Sequence, residues 1–299
     1  MRVVCTPLGM YHVRDHLVRM YPKVDFRFTK GIATKTETEN ILQNEKYVVI
    51  GSEKLTKDFI ERSSLAAVAR FGGSVENIDV DALKEKDIPL FYTKAEGVAD
   101  DVANLTVSFV LSASFQVASL CNLNKAGVWR RPSLHASMAN VLIIGAGRIG
   151  GLVETKLAAL GYSNVRLRSA RELHRDSAVN EISHDLDWAN IIVLTANPLY
   201  WDQEFFMDSL SSLNSGVSIV NTARGSLVDE ARLISLFEHG LVREYYADVT
   251  AVEPPDEDTT EFISHASVVC TPHIGGYGKA NLLDIAVKCM DFLEKVEYA

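Results

Sequence analysis

Three residues of types that bind anions or transfer protons stand behind strand-like runs in the second half of the chain. Arg224, Glu253 and His273 follow three successive runs rich in β-branched and aromatic residues. In a doubly wound parallel sheet, ligands bind outside the carboxyl ends of the strands. The sequence therefore predicts that these three side chains share one rim of a sheet.

The chemistry that this set could perform is reduction of a small 2-oxo acid. Such a reaction needs a cation for the carboxylate and carbonyl, a proton donor for the developing alkoxide, and a hydride. Arg224 is the expected cation and His273 the expected proton donor. A carboxylate beside the imidazole would orient the ring and favour its protonated form, which is the role expected of Glu253.

A glycine-rich loop indicates where the hydride carrier would bind. The apolar run 141–144 continues directly into GAGRIG, with Gly145, Gly147 and Gly150 in GxGxxG spacing, and a helical pattern follows. The first glycine permits a tight turn, the second lets the backbone approach a pyrophosphate, and the third lets helix and strand pack closely. A strand, glycine loop and helix in this order predict a dinucleotide site, with the anion at the helix N-terminus.

The end of the next predicted strand favours NADP(H) over NAD(H). An NAD site usually places an acidic residue there for the ribose 2′-hydroxyl. Here Arg168 and Arg171 flank Ser169, and two guanidinium groups with a hydroxyl suit a 2′-phosphate. In the alternative interpretation the arginines are a solvated strand end, Glu172 binds the ribose, and NAD(H) is the cofactor.

The elements that must position these residues form two β/α alternations, which predict two doubly wound parallel sheets in an α/β protein. Residues 1–96 read as a flavodoxin-like substrate domain, which the C-terminal helical pattern from 276 to 299 could rejoin. Residues 97–275 begin with a long helical pattern and a Gly/Pro/Ser-containing linker, and continue as a Rossmann-type cofactor domain with six strands.

Composition excludes several other classes of protein. The chain has 299 residues, enough for two domains, and a formal net charge of −9, so a nucleic-acid partner is not expected. No signal-peptide core or apolar span of ~20 residues is present, which predicts a cytoplasmic protein without a membrane partner. The four cysteines lie far apart without a CxxC pair, so no metal site is expected.

Four motifs resemble those of the D-2-hydroxyacid dehydrogenase family, and the resemblance spans nearly the whole chain. GAGRIG resembles the family's cofactor loop, NTARGSLVDE its arginine motif, DVTAVEP its glutamate motif and TPHIGG its histidine motif. The resemblance implies that Arg224 and His273 bind substrate, that Glu253 and His273 form the acid/base pair, and that Asp248 lies near the nicotinamide carboxamide. It also implies a homodimer formed through the cofactor domain.

The resemblance completes the expected binding residues. The loop RFGGSVENID implies that the backbone N–H groups of Gly73 and Ser74 hold the substrate carboxylate. The remaining expected cofactor contacts are Arg148, Ile149, Thr195, Thr222 and Gly276. Two positions depart from the family pattern, because family members usually carry glycine at position 74 and an acid where Asn104 stands.

The sequence thus predicts an NADP(H)-dependent oxidoreductase that transfers a hydride to or from C2 of a small 2-oxo or D-2-hydroxy acid. One alternative is an enzyme on the same scaffold that oxidises another hydride donor, such as formate or phosphite. A second is a dinucleotide-sensing interaction protein, like the corepressors that resemble this family. A catalytically idle scaffold is disfavoured by the complete Arg224, Glu253 and His273 set.

Overall fold

A computed structural model describes residues 1–30, 35–93, 96–125, 127, 129, 138–171 and 179–299 of the chain. Its backbone separates into two compact units. The first contains Met1–Val98 together with Gly276–Ala299, and the second contains Ala99–Gly275.

The first unit is built on a five-stranded parallel sheet in the order β2-β1-β3-β4-β5. This is the flavodoxin-like order, which was expected from the β/α alternation. Its strands are β1 (Arg2–Cys5), β2 (Asp25–Phe28), β3 (Tyr47–Ile50), β4 (Ala67–Arg70) and β5 (Leu90–Tyr92). Its helices are α1 (Leu8–His12), α2 (Arg14–Met20), α3 (Lys35–Leu42), α4 (Lys57–Arg62), α5 (Val80–Glu85) and, after the second unit, α13 (Lys279–Glu297).

The C-terminal helix α13 closes the core of the first unit. One face of α13 is buried with residues of β1, β4 and α2, and it includes Leu282, Ile285, Met290 and Leu293. These positions recur at helical spacing, so the face is continuous along the helix. The amphipathic tail therefore packs on the first unit, as the sequence pattern indicated.

The second unit holds a six-stranded parallel sheet in the order β11-β10-β9-β8-β6-β7. All six strands expected from the sequence are present: β6 (Asn140–Ile144), β7 (Asn164–Arg168), β8 (Ile191–Leu194), β9 (Val217–Asn221), β10 (Val242–Ala247) and β11 (Val268–Cys270). The chain begins at β6, adds β7 on one side, and then adds β8 to β11 on the other. The strand order therefore reverses between β6 and β8, where ligands bind in such folds.

The helices of the second unit are α6 (Glu96–Ser114), which starts in the first unit, α7 (Val117–Lys125), α8 (Arg148–Ala159), α9 (Val179–Trp188), α10 (Gln203–Ser211), α11 (Glu230–Glu238) and α12 (Glu257–Ile263). Aspartate side chains accept a hydrogen bond from the first turn of three of them, at Asp202, Asp229 and Asp256. Each cap satisfies an N–H group that the helix itself leaves unpaired.

The central strands of the second sheet are buried on both faces, which accounts for their nearly continuous apolar sequence. Every residue of β8 is buried, and so is every residue of β9. Two hydrophobic clusters lie on either side of this sheet. Polar residues at the ends of these strands are therefore positioned by a tightly packed sheet.

The long helical pattern of residues 98–124 is not one helix. It breaks at Phe115 and Gln116 into α6 and α7, and Gln116 has a left-handed backbone with φ of 52°. Buried Glu244 of β10 accepts hydrogen bonds from the N–H and hydroxyl of Ser119 in the first turn of α7. This carboxylate gives the second helix its own stabilised N-terminus.

Across the described ranges, no helix is both long and apolar enough to cross a membrane. Within those same ranges, histidine, cysteine and acidic side chains nowhere form a group of three that could hold a metal ion.

Candidate active site

His273 and Glu253 form a hydrogen-bonded pair at the carboxyl edge of the second sheet. His273 follows β11 and Glu253 follows β10, and Nδ1 of the histidine lies 2.7 Å from Oε2 of the carboxylate. Both side chains are partly exposed, at 50% and 38%. Among the described residues, Nε2 of His273 has no hydrogen-bond partner, so this nitrogen is available to exchange a proton with a substrate.

The pair shifts the pKa of both members toward their charged forms. The hydrogen bond and charge of Glu253 raise the pKa of His273, although burial opposes this. Burial would raise the pKa of Glu253, but the hydrogen bond and charge of His273 outweigh it and lower that pKa. A raised histidine pKa keeps the ring protonated at higher pH, which suits a proton donor.

Asp248 organises the loop that carries His273. Its Oδ1 accepts hydrogen bonds from the hydroxyl of Thr271, at 2.6 Å, and from the N–H of Ile274, at 2.7 Å, and its Oδ2 accepts from the N–H of Gly275, at 2.7 Å. His273 has a left-handed backbone with φ of 53°. This conformation is costly for a residue with a Cβ, and the three bonds to Asp248 hold the chain in it.

Arg224 lies in a turn that a neighbouring side chain shapes. The side chain of Asn221, the last residue of β9, accepts from the N–H of Ala223 and donates to the carbonyl of Arg224. The Arg224 guanidinium donates to the Ala223 carbonyl at 2.7 Å. Its positive charge acts on the pKa of both Glu253 and His273, so the three expected catalytic residues share one region.

Gly225 brings this arginine turn against the loop that carries Glu253. A Cβ built on Gly225 would lie 2.0 Å from the carbonyl atoms of Thr250, closer than any side chain tolerates. The Thr250 N–H also donates to Oε1 of Glu253 at 3.2 Å. Glycine after Arg224 is therefore a requirement of the close approach between the two loops.

Glu230, which the sequence analysis did not single out, supports the same loop. Its Oε1 accepts a hydrogen bond from the Ala251 N–H at 2.8 Å. Burial raises the pKa of Glu230, and the bond to Ala251 partly offsets this. The sequence showed only an acidic residue directly after a helix N-cap, and it could not show that this side chain binds the Ala251 N–H.

The glycine loop after β6 has the shape that a dinucleotide pyrophosphate requires. A Cβ on Gly145 would lie 2.4 Å from the Thr195 backbone, and one on Gly150 would lie 2.1 Å from the Gly145 carbonyl, so both positions exclude other residues. A Cβ on Gly147 would meet nothing within 4 Å. Gly147 is the N-cap of the 12-residue helix α8. The open side of the loop therefore faces the N–H groups of a helix N-terminus, where a phosphate binds.

Three other expected cofactor residues belong to the same loop. Arg148 is exposed and Ile149 is half-buried in the first turn of α8. The Thr195 hydroxyl, after β8, donates to the Gly145 carbonyl at 3.0 Å. In the described structure Thr195 thus holds the glycine turn itself, beside the point where strand order reverses.

Arg168 at the end of β7 is paired with an aspartate of α9. Asp185 has a side chain only 4% exposed, and it accepts from Nη1 of Arg166 and Nε of Arg168, each at 2.5 Å. The Arg166 guanidinium also lies over the Trp188 ring, 3.8 Å from its centre. Residues 166 and 168 share one face of the strand, so a single carboxylate fixes both arginines.

Arg171 follows the end of β7 and contacts the turn after β8. Its guanidinium lies 4.2 Å from the ring centre of Tyr200, and its N–H donates to the Ser169 hydroxyl. Tyr200 belongs to the short turn after β8, so this contact joins the two strand ends that flank β6. Glu172, the alternative ribose ligand, lies outside the described residues.

The structure also describes the remaining positions that the sequence analysis named. Thr222, another expected cofactor residue, is 8% exposed, and its hydroxyl is hydrogen-bonded to that of Thr106 in α6, at 2.7 Å. Asp248, expected near the carboxamide, already accepts three hydrogen bonds from the histidine loop. Gly276 belongs to the first unit, where a Cβ would lie 3.1 Å from Val98. Asn104 is exposed on α6.

The loop expected to bind the substrate carboxylate follows β4 in the first unit. Gly73 is exposed and Ser74 is half-buried, and among the described residues no acceptor contacts the backbone N–H of either. A Cβ on Gly73 would lie 3.1 Å from the Thr93 carbonyl. The Ser74 hydroxyl accepts from the N–H of Glu76 at 3.4 Å, so the serine stabilises the turn rather than pointing away from it.

Asn77 pins this loop to the loop after β3. Its side-chain amide donates to the carbonyls of Gly51 and Glu53, at 3.0 and 2.6 Å, and its oxygen accepts from Nε of Arg70. Arg70 also donates to the carbonyl of Phe71. These bonds fix the loop that carries the backbone N–H groups of Gly73 and Ser74.

The chain is similar in sequence to known proteins. A family model described as D-isomer specific 2-hydroxyacid dehydrogenase, NAD binding domain, matches residues 107–275. The chain is 31% identical over 278 residues to hydroxypyruvate reductase of Thermotoga maritima, which covers 88% of this chain and 90% of the relative. It is 26% identical over 294 residues to glyoxylate/hydroxypyruvate reductase B of Yersinia enterocolitica, covering 92% and 89%.

The fold is similar to that of a phosphoglycerate oxidoreductase from Vibrio cholerae, with a TM-score of 0.79, 17% identity and full coverage of both chains. The glycine loop, the parallel sheets and the histidine–carboxylate pair define a dinucleotide-dependent oxidoreductase. The chain belongs to the D-isomer specific 2-hydroxyacid dehydrogenase family. It therefore transfers a hydride between a nicotinamide dinucleotide and a 2-hydroxy acid/2-oxo acid pair.

Proposed function

We propose that this protein is an NADP(H)-dependent reductase of a small 2-oxo acid, with Arg224, Glu253 and His273 as its catalytic residues. The observation that carries the proposal is the 2.7 Å hydrogen bond between Nδ1 of His273 and Glu253, which raises the pKa of the ring and, among the described residues, leaves Nε2 without a partner. The bound dinucleotide supplies the hydride to C2 of the substrate.

The three side chains divide the rest of the reaction. Arg224 binds the carboxylate and the carbonyl oxygen through a planar guanidinium that suits two oxygens at once. Nε2 of His273 donates its proton to the carbonyl oxygen as negative charge develops there, and Glu253 stabilises the imidazolium before that transfer. In the oxidative direction the neutral ring removes the hydroxyl proton.

The proposed carboxylate receptor of the first unit is the backbone of Gly73 and Ser74. Consecutive backbone N–H groups that have no acceptor among the described residues can bind an anion together. The pinning of this loop by Asn77 supports the role, because a receptor made of backbone groups binds well only when its backbone is fixed in advance. Residues 1–96 and 276–299 are accordingly the proposed substrate domain, and residues 97–275 the proposed cofactor domain.

The preference for NADP(H) rests on the arginines around the end of β7. Arg166, Arg168 and Asp185 together carry a net charge of +1, and exposed Arg171 adds a second positive charge nearby. Ser169 stands where an NAD site has its acid, so no carboxylate at that position repels a 2′-phosphate. NAD(H) remains the alternative cofactor.

We further propose that the active form is a homodimer. The second unit leaves Phe115, Val117 and Leu160 between 44% and 50% exposed, and large apolar side chains of this kind are typical of interfaces. Light scattering on the purified protein tests this directly, and a monomer at assay concentration with full activity would refute it.

The first experiment is the initial rate of NADPH and, separately, NADH oxidation with glyoxylate, hydroxypyruvate, pyruvate and longer 2-oxo acids. Turnover of one acid with NADPH preferred is expected. Binding of a dinucleotide without turnover of any 2-oxo acid would overturn the proposal. Reduction of NADP⁺ or NAD⁺ with formate or phosphite as the hydride donor would then identify the alternative activity.

Variants separate the catalytic from the cofactor residues. Arg224→Ala and His273→Ala are expected to lose most turnover and to keep NADPH binding, whereas Arg232→Ala, on the surface with Glu204 and Asp208, is the matched control. Arg171→Ala, alone and with Arg168→Ala, is expected to weaken NADPH far more than NADH. Equal losses for both cofactors would reject the NADP(H) assignment.

A further inference from the structure

Two threonine hydroxyls from distant parts of the sequence meet inside the second unit. Thr106 of α6 is fully buried and Thr222, the residue after β9, is 8% exposed. Their Oγ1 atoms lie 2.7 Å apart. Oγ1 of Thr106 also lies 2.7 Å from the carbonyl oxygen of Val102, one helical turn earlier.

These distances fix the direction of both hydrogen bonds. A carbonyl oxygen can only accept, so the single hydroxyl proton of Thr106 is donated to Val102. The proton between the two threonines must then come from Thr222, since otherwise two oxygens would lie 2.7 Å apart with no proton between them. The Thr222 hydroxyl has no second proton and can only accept a hydrogen bond from a ligand.

An acceptor at this position requires a hydrogen-bond donor on the ligand. A 2-oxo acid has no N–H group, whereas the nicotinamide carboxamide has an N–H₂ donor on one side and a carbonyl on the other. Asp248, the acceptor expected near the carboxamide, already accepts three hydrogen bonds from the histidine loop. Thr222 lies beside it, because Asn221 and Ala247, the residues directly before the two, pair in the sheet. The Thr222 hydroxyl can therefore accept a hydrogen bond from the carboxamide, whereas the Asp248 carboxylate already uses most of its lone pairs within the histidine loop.

We propose that Thr106 is a positioning residue for the cofactor, because it holds the Thr222 hydroxyl as an acceptor for the carboxamide N–H₂ group. This inference rests on the proposed function, in which a nicotinamide dinucleotide binds at this edge of the second sheet. Accepting only from the N–H₂ side orients the carboxamide, and with it the ring face that the hydride leaves.

The test measures binding of NADP⁺ and of its 3-acetylpyridine analogue, in which a methyl group replaces the amide N–H₂ and the carbonyl stays. Dissociation constants from tryptophan fluorescence or calorimetry are compared for wild type, Thr222→Val, Thr106→Val and Thr106→Ser. Binding is the readout because the analogue also has a different redox potential, which would change turnover for another reason.

Wild type is expected to prefer the carboxamide by about three- to tenfold, the range of one hydrogen bond between neutral groups. Thr222→Val is expected to bind both ligands with nearly equal affinity. Thr106→Val removes the acceptor that holds the Thr222 proton, so the preference is expected to fall there too. Thr106→Ser keeps the hydroxyl and is expected to show the same preference for the carboxamide as wild type.

Two outcomes overturn the inference while leaving the proposed function intact: an unchanged preference in Thr106→Val with a normal unfolding temperature, or equal loss of both ligands in Thr222→Val. If Thr106→Val does not fold, the carboxamide preference of Thr222→Val is compared with that of Thr106→Ser. A preference that is lost in both variants, or kept in both, would overturn the inference. Failure of wild type to bind either NADP⁺ or NAD⁺ would instead reject the proposed function itself.

Discussion

Nδ1 of His273 lies 2.7 Å from Oε2 of Glu253, although 20 residues of chain separate the two. The bond assigns one ring nitrogen to the carboxylate and leaves the other for substrate. Because each partner stabilises the charged form of the other, the pair behaves as a single acid with a pKa above that of an isolated histidine.

The first prediction concerns the pH profile of reduction. Reduction needs the protonated ring, so kcat/KM is expected to decrease as pH rises through the pKa of His273, which lies above 6.5. Glu253→Gln removes the charge that raises this pKa, and the decrease should move to lower pH. Initial rates between pH 5 and 10 measure it, and superimposable profiles for wild type and variant would contradict the assignment.

The second prediction concerns stability and follows from the same shifts. A histidine with a raised pKa stabilises the fold below its unfolded pKa of 6.5, and this is lost as pH rises through the folded pKa. A glutamate with a lowered pKa stabilises the fold above 4.5, and this is lost as pH falls. The difference in unfolding temperature between wild type and Glu253→Gln should therefore be largest between about pH 4.5 and 6.5. A difference that is constant with pH would exclude the coupling.

The third prediction concerns Asp248. In Asp248→Asn an amide N–H₂ group would face loop donors that now meet a carboxylate oxygen, so the His273 loop should loosen. We expect about 2 kcal/mol lower stability and at least a tenfold lower kcat. Chemical denaturation and steady-state rates measure these effects. Asp258→Asn, at an exposed position in α12, is the control and should change neither stability nor kcat. If Asp248→Asn also changed neither, the Asp248 carboxylate would not hold the His273 loop.

The fourth prediction compares three glycines at the start of α8. Gly150→Ala should destabilise the protein by roughly 2 kcal/mol because its Cβ would lie 2.1 Å from a carbonyl oxygen. Gly147→Ala meets nothing within 4 Å and should leave the unfolding temperature unchanged, but its methyl group should weaken dinucleotide binding at least tenfold.

Gly151→Ala is the control for both glycine variants. It also meets nothing within 4 Å and lies inside α8, where alanine is more stable than glycine by about 0.5–1 kcal/mol. It should bind the dinucleotide normally. Normal binding by Gly147→Ala as well would show that the pyrophosphate does not approach this turn.

The fifth prediction concerns Glu230, whose raised pKa means that burial disfavours its charged form. The folded pKa exceeds the unfolded one, so this residue makes the protein less stable as pH rises through that range. Glu230→Gln can still accept from Ala251 and should be at least as stable at pH 7. Glu230→Ala removes the acceptor and should slow turnover, whereas Glu238→Ala, exposed at the end of the same helix, should not. Equal activity of both alanine variants would argue against support of the Glu253 loop.

Local patterns determined much of this protein. Apolar runs of strand length separated by helical spacing predicted both parallel sheets and all six strands of the second. The residue types at strand ends, together with the topology of such sheets, predicted that Arg224, Glu253 and His273 would share a region. The glycine spacing predicted the loop, because Gly150 packs on the Gly145 carbonyl within one strand–loop–helix segment, although Gly145 also packs on the distant Thr195 backbone.

Only the tertiary structure decided which partner each polar group has. Asp185 binds Arg168 across 17 residues, Asp248 binds the loop at 274 and 275, and Thr106 meets Thr222 across 116 residues. A hydrogen bond depends on distances of tenths of an ångström between atoms that packing brings together. Periodicity along the chain assigns a residue to a face of an element, but the atom on the facing element is set by how the two elements pack.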